Sequence, residues 1–179
     1  MDYKDKYLKY KNKYLELKKN KQIGGSKLIL YHGSPCSNIK ILSQRIPRGD
    51  NKFNTQKGVY LTTNFLEAVL YSLARDIKRE NKGWGLKFIN NKIYLLLRKD
   101  KWFGNKPTYK LNKKGYVYTY EDKNNDAEQN PDKDRKTEFI IKKNVSPDKK
   151  IIVTIEDVPK NRIKYLDRND WYEAFNINN

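Results

Sequence analysis

The chain has 179 residues, room for one compact domain plus a short appendage, and its 39 lysines and arginines outnumber 21 acidic residues to give a formal charge of +18. Such an excess suits a polyanionic neighbour (nucleic acid, an acidic protein or an anionic membrane face), and the wealth of Lys, Asn, Ile and Tyr equally fits an AT-rich coding bias. One cysteine, Cys36, and one histidine, His32, rule out a disulfide framework and argue against zinc. No apolar stretch approaches the roughly 20 residues of a membrane span, and no signal-peptide core is present, so the chain reads as a soluble protein of a reducing compartment, without a transmembrane segment.

Residues 1–22 read as a helix: Tyr3, Tyr7, Tyr10, Tyr14 and Leu17 fall on one stripe, with lysines on the other faces. Gly24-Gly25 ends it with a flexible joint, dividing the chain into a leader, 1–25, and a domain, 26–179. The stripe is too short for a coiled coil and marginal alone in water, so it docks on its own domain, docks on a partner, or frays. This segment resembles an N-terminal leader found on many proteins of mimivirus-like giant viruses, which implies delivery to a virion or a viral factory in the host cytoplasm. A solvated basic helix with no addressee is the alternative.

Lys27–Tyr31 is a short buried strand, and Ile39, Ile41, Leu42 and Ile46 suggest a helical turn and a return. After a polar loop, Pro47–Lys57, Val59–Thr62 is a second strand. Asn64 then caps a helix with Glu67 at its third position, as in a capping box, and that helix runs through Leu66, Ala68, Leu70, Tyr71, Leu73 and Ala74 to a charged exit at 75–82. Gly85–Ile89 and Lys92–Leu97 are strands joined around Asn90-Asn91. Tyr116–Tyr120 alternates as a half-buried strand, and Glu121–Lys136 is a polar loop. Glu138–Ile141 and Ile151–Ile155 are further strands, and Trp171, Tyr172 and Phe175 suggest a short closing helix. Strands outnumber helices without alternating with them, which favours an α+β fold.

His32-Gly-Ser-Pro-Cys-Ser-Asn38 with Ile41-Leu-Ser-Gln44, then Gly58-Val-Tyr60-Leu followed by Tyr71, then Thr137-Glu-Phe-Ile-Ile141, occur in the order of the three motifs of the poly(ADP-ribose) polymerase catalytic domain. Each piece alone is weakly specific; their ordered combination over Leu28–Ile155 resembles that His-Tyr-Glu superfamily. The resemblance implies a split β-sandwich of two antiparallel sheets with NAD, a substrate rather than a bound cofactor, in its cleft, and no metal. It implies that His32 bonds a ribose hydroxyl, that Gly33 lets the carboxamide reach the backbone, that Ser34 adds a polar contact, and that Tyr60 and Tyr71 sandwich the nicotinamide. Arg45 or Arg48 would approach the adenylate phosphates. Glu138 would grip the ribose and face the positive charge that grows as the glycosidic bond breaks. His32, Tyr60 and Glu138 are thus the expected catalytic set.

The sequence departs from the family pattern at three places. Ala68 stands where a small polar residue is common. Glu67 stands near a lysine that pairs with the catalytic glutamate in some polymerases, which argues against chain elongation. Lys136, two before Glu138, argues against an arginine acceptor. The expectation is therefore a monomeric mono-ADP-ribosyltransferase that acts on a protein or nucleic-acid acceptor and releases nicotinamide. The rival expectation is a basic nucleic-acid- or ADP-ribose-binding virion protein without activity.

Overall fold

The structure, a computed structural model, describes residues 28–46, 53, 55–74, 84–90, 92–100, 106–107 and 111–174. The expected leader helix, the Gly24-Gly25 joint, most of the Pro47–Lys57 loop with Arg48, the charged exit at 75–82, and Phe175 lie outside these residues. Ten strands are described: β1 Leu28–Ser34, β2 Val59–Thr62, β3 Trp84–Ile89, β4 Lys92–Asp100, β5 Lys106–Pro107, β6 Gly115–Asp122, β7 Ala127–Gln129, β8 Glu138–Ile141, β9 Lys149–Val153 and β10 Ile163–Leu166. With them stand two α-helices, α1 Phe65–Ala74 and α2 Arg168–Ala174. The strands do not alternate with the helices, and two sheets with little helix among the described residues make the class α+β or mainly β.

Six strands form one antiparallel sheet in the order β7-β8-β2-β1-β6-β9, with β1 running the length of β6 from Leu28 opposite Asp122 to Ser34 opposite Tyr116. Successive side chains on a strand point to opposite faces. Tyr31, Val117 and Val153 therefore meet α1 on one face, and Leu30, Val59, Leu61, Tyr118, Phe139 and Ile141 build a separate core on the other. The first core extends through Val69, Leu70 and Leu73 of α1 to Ile93, Leu95 and Leu97 of β4, so α1 ties the large sheet to a smaller one. In that smaller sheet β3 and β4 form a hairpin turning at Asn90, whose φ of 49° is the left-handed conformation that asparagine tolerates.

Three expectations need correction. Ile39–Ile46 is not helical: Leu42 pairs with Val145 through backbone bonds of 2.8 and 3.1 Å and plugs the second core, and Arg45 pairs with Gly58. Ile41 and Ile46, 55% and 68% exposed, face water, while Ile39 and Leu42 pack on the second core, so the four do not form one helical face. Nor is Glu121–Lys136 a plain loop. Its first two residues complete β6, the Asp122 carboxylate accepts the Asp126 and Ala127 N–H groups at 2.9 and 3.0 Å, and the chain returns as β7. Finally, the smaller sheet is not purely antiparallel, because β10 runs parallel to β4 from Ile163 opposite Leu95 to Leu166 opposite Arg98.

The helix cap is half of the expected box. Asn64 Oδ1 accepts the Glu67 N–H at 3.2 Å, but the N–H of Asn64 donates to Thr62 Oγ1 at 2.9 Å instead of to Glu67. The Glu67 side chain is thereby released from capping and turns inward, where its residue is 1% exposed.

Candidate active site

His32 and Gly33 lie on β1, Tyr60 on β2 and Glu138 at the start of β8, three strands adjacent in the sheet. The Thr63 N–H donates to Thr137 O at 2.9 Å, which continues the β2–β8 ladder and turns the backbone groups of Tyr60 and Thr62 toward β1. Among the described residues, β1 and β2 pair at Tyr31–Thr62. One residue beyond, the His32 imidazole takes the place of a ladder bond, its Nδ1–H donating to the Tyr60 carbonyl at 2.8 Å. A carbonyl accepts only, so Nδ1 carries a proton. By the two-residue period, Gly33 turns its backbone N–H and C=O toward the same parting of the strands.

Gly33 is required for a reason the sequence does not suggest. A Cβ there would lie 2.0 Å from the Ala68 carbonyl oxygen and 3.0 Å from the Ser72 nitrogen, so α1 rests on this residue. Closeness to the helix by itself excludes a side chain here. Ala68 is part of this contact and of the first core.

Tyr60, Thr62 and Glu138 fall on the face that α1 covers. The Tyr60 hydroxyl lies 2.7 Å from both the Phe53 and the Gln56 carbonyls and donates to one of them, and its ring meets Phe53 edge-on at 6.0 Å. Burial, with the charge of Glu138 adding to it, raises the Tyr60 phenol above its ordinary range. Tyr71, on α1, is 37% exposed and meets Trp84 of β3 edge-on at 5.9 Å. The two tyrosines expected to form a sandwich thus have different ring neighbours. Ser34 is buried and accepts the Cys36 N–H at 3.2 Å, closing a local turn. Arg45 is exposed, bridged through its backbone to Gly58.

Glu138 is held from several sides. Its side chain is 16% exposed; Asn130 Nδ2 donates to Oε2 at 2.8 Å, and Arg135 Nη1 stands 3.7 Å from Oε1. Asn130 also gives its backbone N–H to the Glu138 carbonyl at 2.9 Å, and its own Oδ1 accepts the Asp132 N–H at 3.0 Å. Burial raises the Glu138 carboxyl above its usual range, while Asn130 and Arg135 oppose that shift. Beside it, Glu67 Oε2 accepts the hydroxyls of Thr62 at 2.6 Å and Thr137 at 2.9 Å. Burial raises Glu67 to about 7; the threonine bonds and Arg135 pull it down, and the charge of Glu138 pushes it up.

Sequence reasoning misses Asn130, Arg135, Thr62 and Thr137. Asn130-Pro131 is a legible turn signal, but nothing in the spacing says that its amide reaches Glu138. A surface concavity of about 410 Å³ lies elsewhere, between the Ser37–Lys40 loop, Tyr118 and Lys150, and includes none of His32, Tyr60, Tyr71 or Glu138. No helix among the described residues is long and apolar enough to cross a membrane. No protein-family description, no curated protein and no solved structure matches the chain.

Proposed function

We propose that the chain is an NAD-dependent ADP-ribosyltransferase that moves one ADP-ribose from NAD to a protein or nucleic-acid acceptor and releases nicotinamide. One observation carries this reading. The sheet parts at His32, where the imidazole spans to the Tyr60 carbonyl and the Gly33 backbone faces the same gap, and Glu138 stands one strand further on the α1-covered face, across the sheet from the face that His32 shares with Leu30 and Tyr118. A carboxamide is recognised by one N–H and one C=O side by side, which the extended backbone of a glycine at a parted ladder supplies. His32, beside that gap, is the residue that would bond a ribose hydroxyl. A carboxylate held away from bulk water by Asn130 and Arg135 opposes a growing oxocarbenium more strongly than one in solvent.

In this reading the two sheets are those of an ADP-ribosyltransferase-like split β-sandwich. NAD enters between β1 and β2, and Tyr60 and Tyr71 are the rings that would take the nicotinamide. The turn at Lys133–Arg135, next to Glu138, is where the acceptor meets the site. The formal charge of +18 favours one rival, a basic nucleic-acid- or ADP-ribose-binding protein of a virion without catalysis. Salt separates the two readings. NAD, or a nicotinamide-like inhibitor, is expected to raise the melting temperature even at about 0.5 M salt, where the screening length is about 4 Å. Tyr60→Ala is expected to abolish the shift. Absence of any shift with millimolar NAD, together with tight salt-sensitive binding of nucleic acid, would establish the rival.

A further inference from the structure

Glu67 is a carboxyl group with no role in capping, buried to 1% exposure in the wall of the proposed site. Two hydroxyls aim at a single one of its oxygens, Thr62 at 2.6 Å and Thr137 at 2.9 Å, an arrangement suited to an ionised carboxylate. The two threonines differ in what remains to them. Thr62 is buried, and its Oγ1 also accepts the Asn64 N–H at 2.9 Å. Thr137 is half-buried, directly precedes Glu138, and among the described residues its Oγ1 makes the bond to Glu67 alone. Having donated its proton to Glu67, Thr137 Oγ1 still has acceptor capacity, and the residue directly precedes Glu138 in the chain.

Resting on the transferase reading, we infer that Thr137 and Glu67 form a proton relay that serves a neutral hydroxyl acceptor. The acceptor oxygen attacks the anomeric carbon of the nicotinamide ribose and forms the new C–O bond. The C–N bond breaks, and its electron pair leaves with nicotinamide, which departs uncharged. The acceptor's proton passes to Thr137 Oγ1 as Thr137 gives its own proton to Glu67 Oε2, turning a carboxylate into a carboxylic acid. Glu138 stays ionised throughout. Glu67 touches no substrate in this scheme; it positions Thr137 and takes the proton that Thr137 hands on.

The charged groups that face Glu67 are Glu138 from β8 and Arg135 from the preceding turn, and burial holds its proton affinity near neutrality, where a base both exists in part and accepts effectively. The relay also selects among acceptors. A carboxylate has no proton to give and is repelled by Glu138, whereas a guanidinium holds its proton too firmly for such a base.

The test uses the full chain with NAD, methanol as the hydroxyl probe and agmatine as the guanidine probe, from pH 5.5 to 8.5. Wild type is expected to form methyl ADP-ribose at a rate that rises through about pH 7, with no agmatine product. Glu67→Gln keeps an oxygen for both threonines but takes no proton, and Thr137→Val removes the relay's outer member. Each is expected to lower methanol transfer at pH 8 at least tenfold and to flatten its pH profile, while retaining the NAD-induced rise in melting temperature. A Glu67→Gln protein with the wild-type pH profile, or one slowed equally at every pH, would show a structural role and overturn the relay. Transfer to agmatine in preference to methanol would overturn the acceptor class. Wild type that releases no nicotinamide under any condition would remove the transferase reading itself, and the relay with it.

Discussion

Glu67 and Glu138 sit on neighbouring elements in surroundings that treat them differently, and each carries a prediction at the scale of the single residue. Burial keeps Glu67 protonated to about 7, against 4.5 in an unfolded chain. Between those values the unfolded chain has released the proton and the folded protein still holds it, so the folded state binds more protons. The contribution of Glu67 to stability is then full below about pH 4.5 and is lost as pH rises through 7. The shift corresponds to at most about 3 kcal/mol. Chemical denaturation at pH 5 and pH 8 is expected to show Glu67→Gln gaining on wild type as pH rises; a difference independent of pH would contradict the buried carboxyl. Asn130 acts on Glu138 through one bond from its side chain and one from its backbone. Asn130→Ala removes the former, at a cost of about 1–3 kcal/mol in stability, and leaves Glu138 Oε2 without its donor. Nicotinamide release is expected to fall several-fold at saturating NAD and most at low pH, because Glu138 loses a bond that favours its charge. An unchanged rate would mean that Arg135 alone holds the carboxylate.

Among the elements, the contact of α1 with β1 decides how the site is assembled. Gly33 lies under Ala68 and Ser72, and Gly115 of β6 lies under Ser72, where an added Cβ would come within 2.1 Å of its hydroxyl. Gly33→Ala must lift the helix that carries Glu67, because the nearest atom is backbone rather than the end of a flexible side chain. A loss of about 3 kcal/mol or more, with a fall in melting temperature of at least about 5 °C, is expected. A variant as stable as wild type would show that the helix rides higher than described. Much of this level is legible in the sequence: Val59–Thr62 and Glu138–Ile141 are short apolar runs whose ends coincide with the observed strands, and Asn64 caps α1 as its side chain suggests. Other features escape for physical reasons. Ile39–Ile46 has apolar residues at helical spacing, but long-range pairing with Val145 and Gly58 overrides that local pattern. β7 is three residues long with an Ala-Glu-Gln sequence, and it exists because Asp122 folds the chain back upon β8. The partnership of Glu67 with Thr62 and Thr137 is a tertiary contact between residues up to 70 positions apart, which no local pattern encodes.

At the scale of the whole molecule, the positive charge and the proposed cleft make separate claims. Charge acts at long range and is screened by salt, so it governs encounter with polyanions and not the chemistry at Glu138. His32, Tyr60 and Glu138 lie on adjacent strands, Tyr60 and Glu138 on the face that α1 covers and His32 on the opposite face with Leu30 and Tyr118, whereas Tyr71 meets Trp84 and Arg45 pairs with Gly58. The order of the motifs was thus sufficient to find the strands but not the amide and hydroxyl groups that condition the carboxylates. The central claim is that Glu138 promotes cleavage of NAD. It is tested most directly by following nicotinamide release from NAD at about 0.5 M salt, with wild type and Glu138→Gln, both verified as folded by melting temperature. The account expects release by wild type and a loss of at least tenfold in the glutamine variant, which keeps the shape and the Asn130 contact but lacks the charge facing the oxocarbenium. Release at the same rate from both proteins, or from neither, would contradict it.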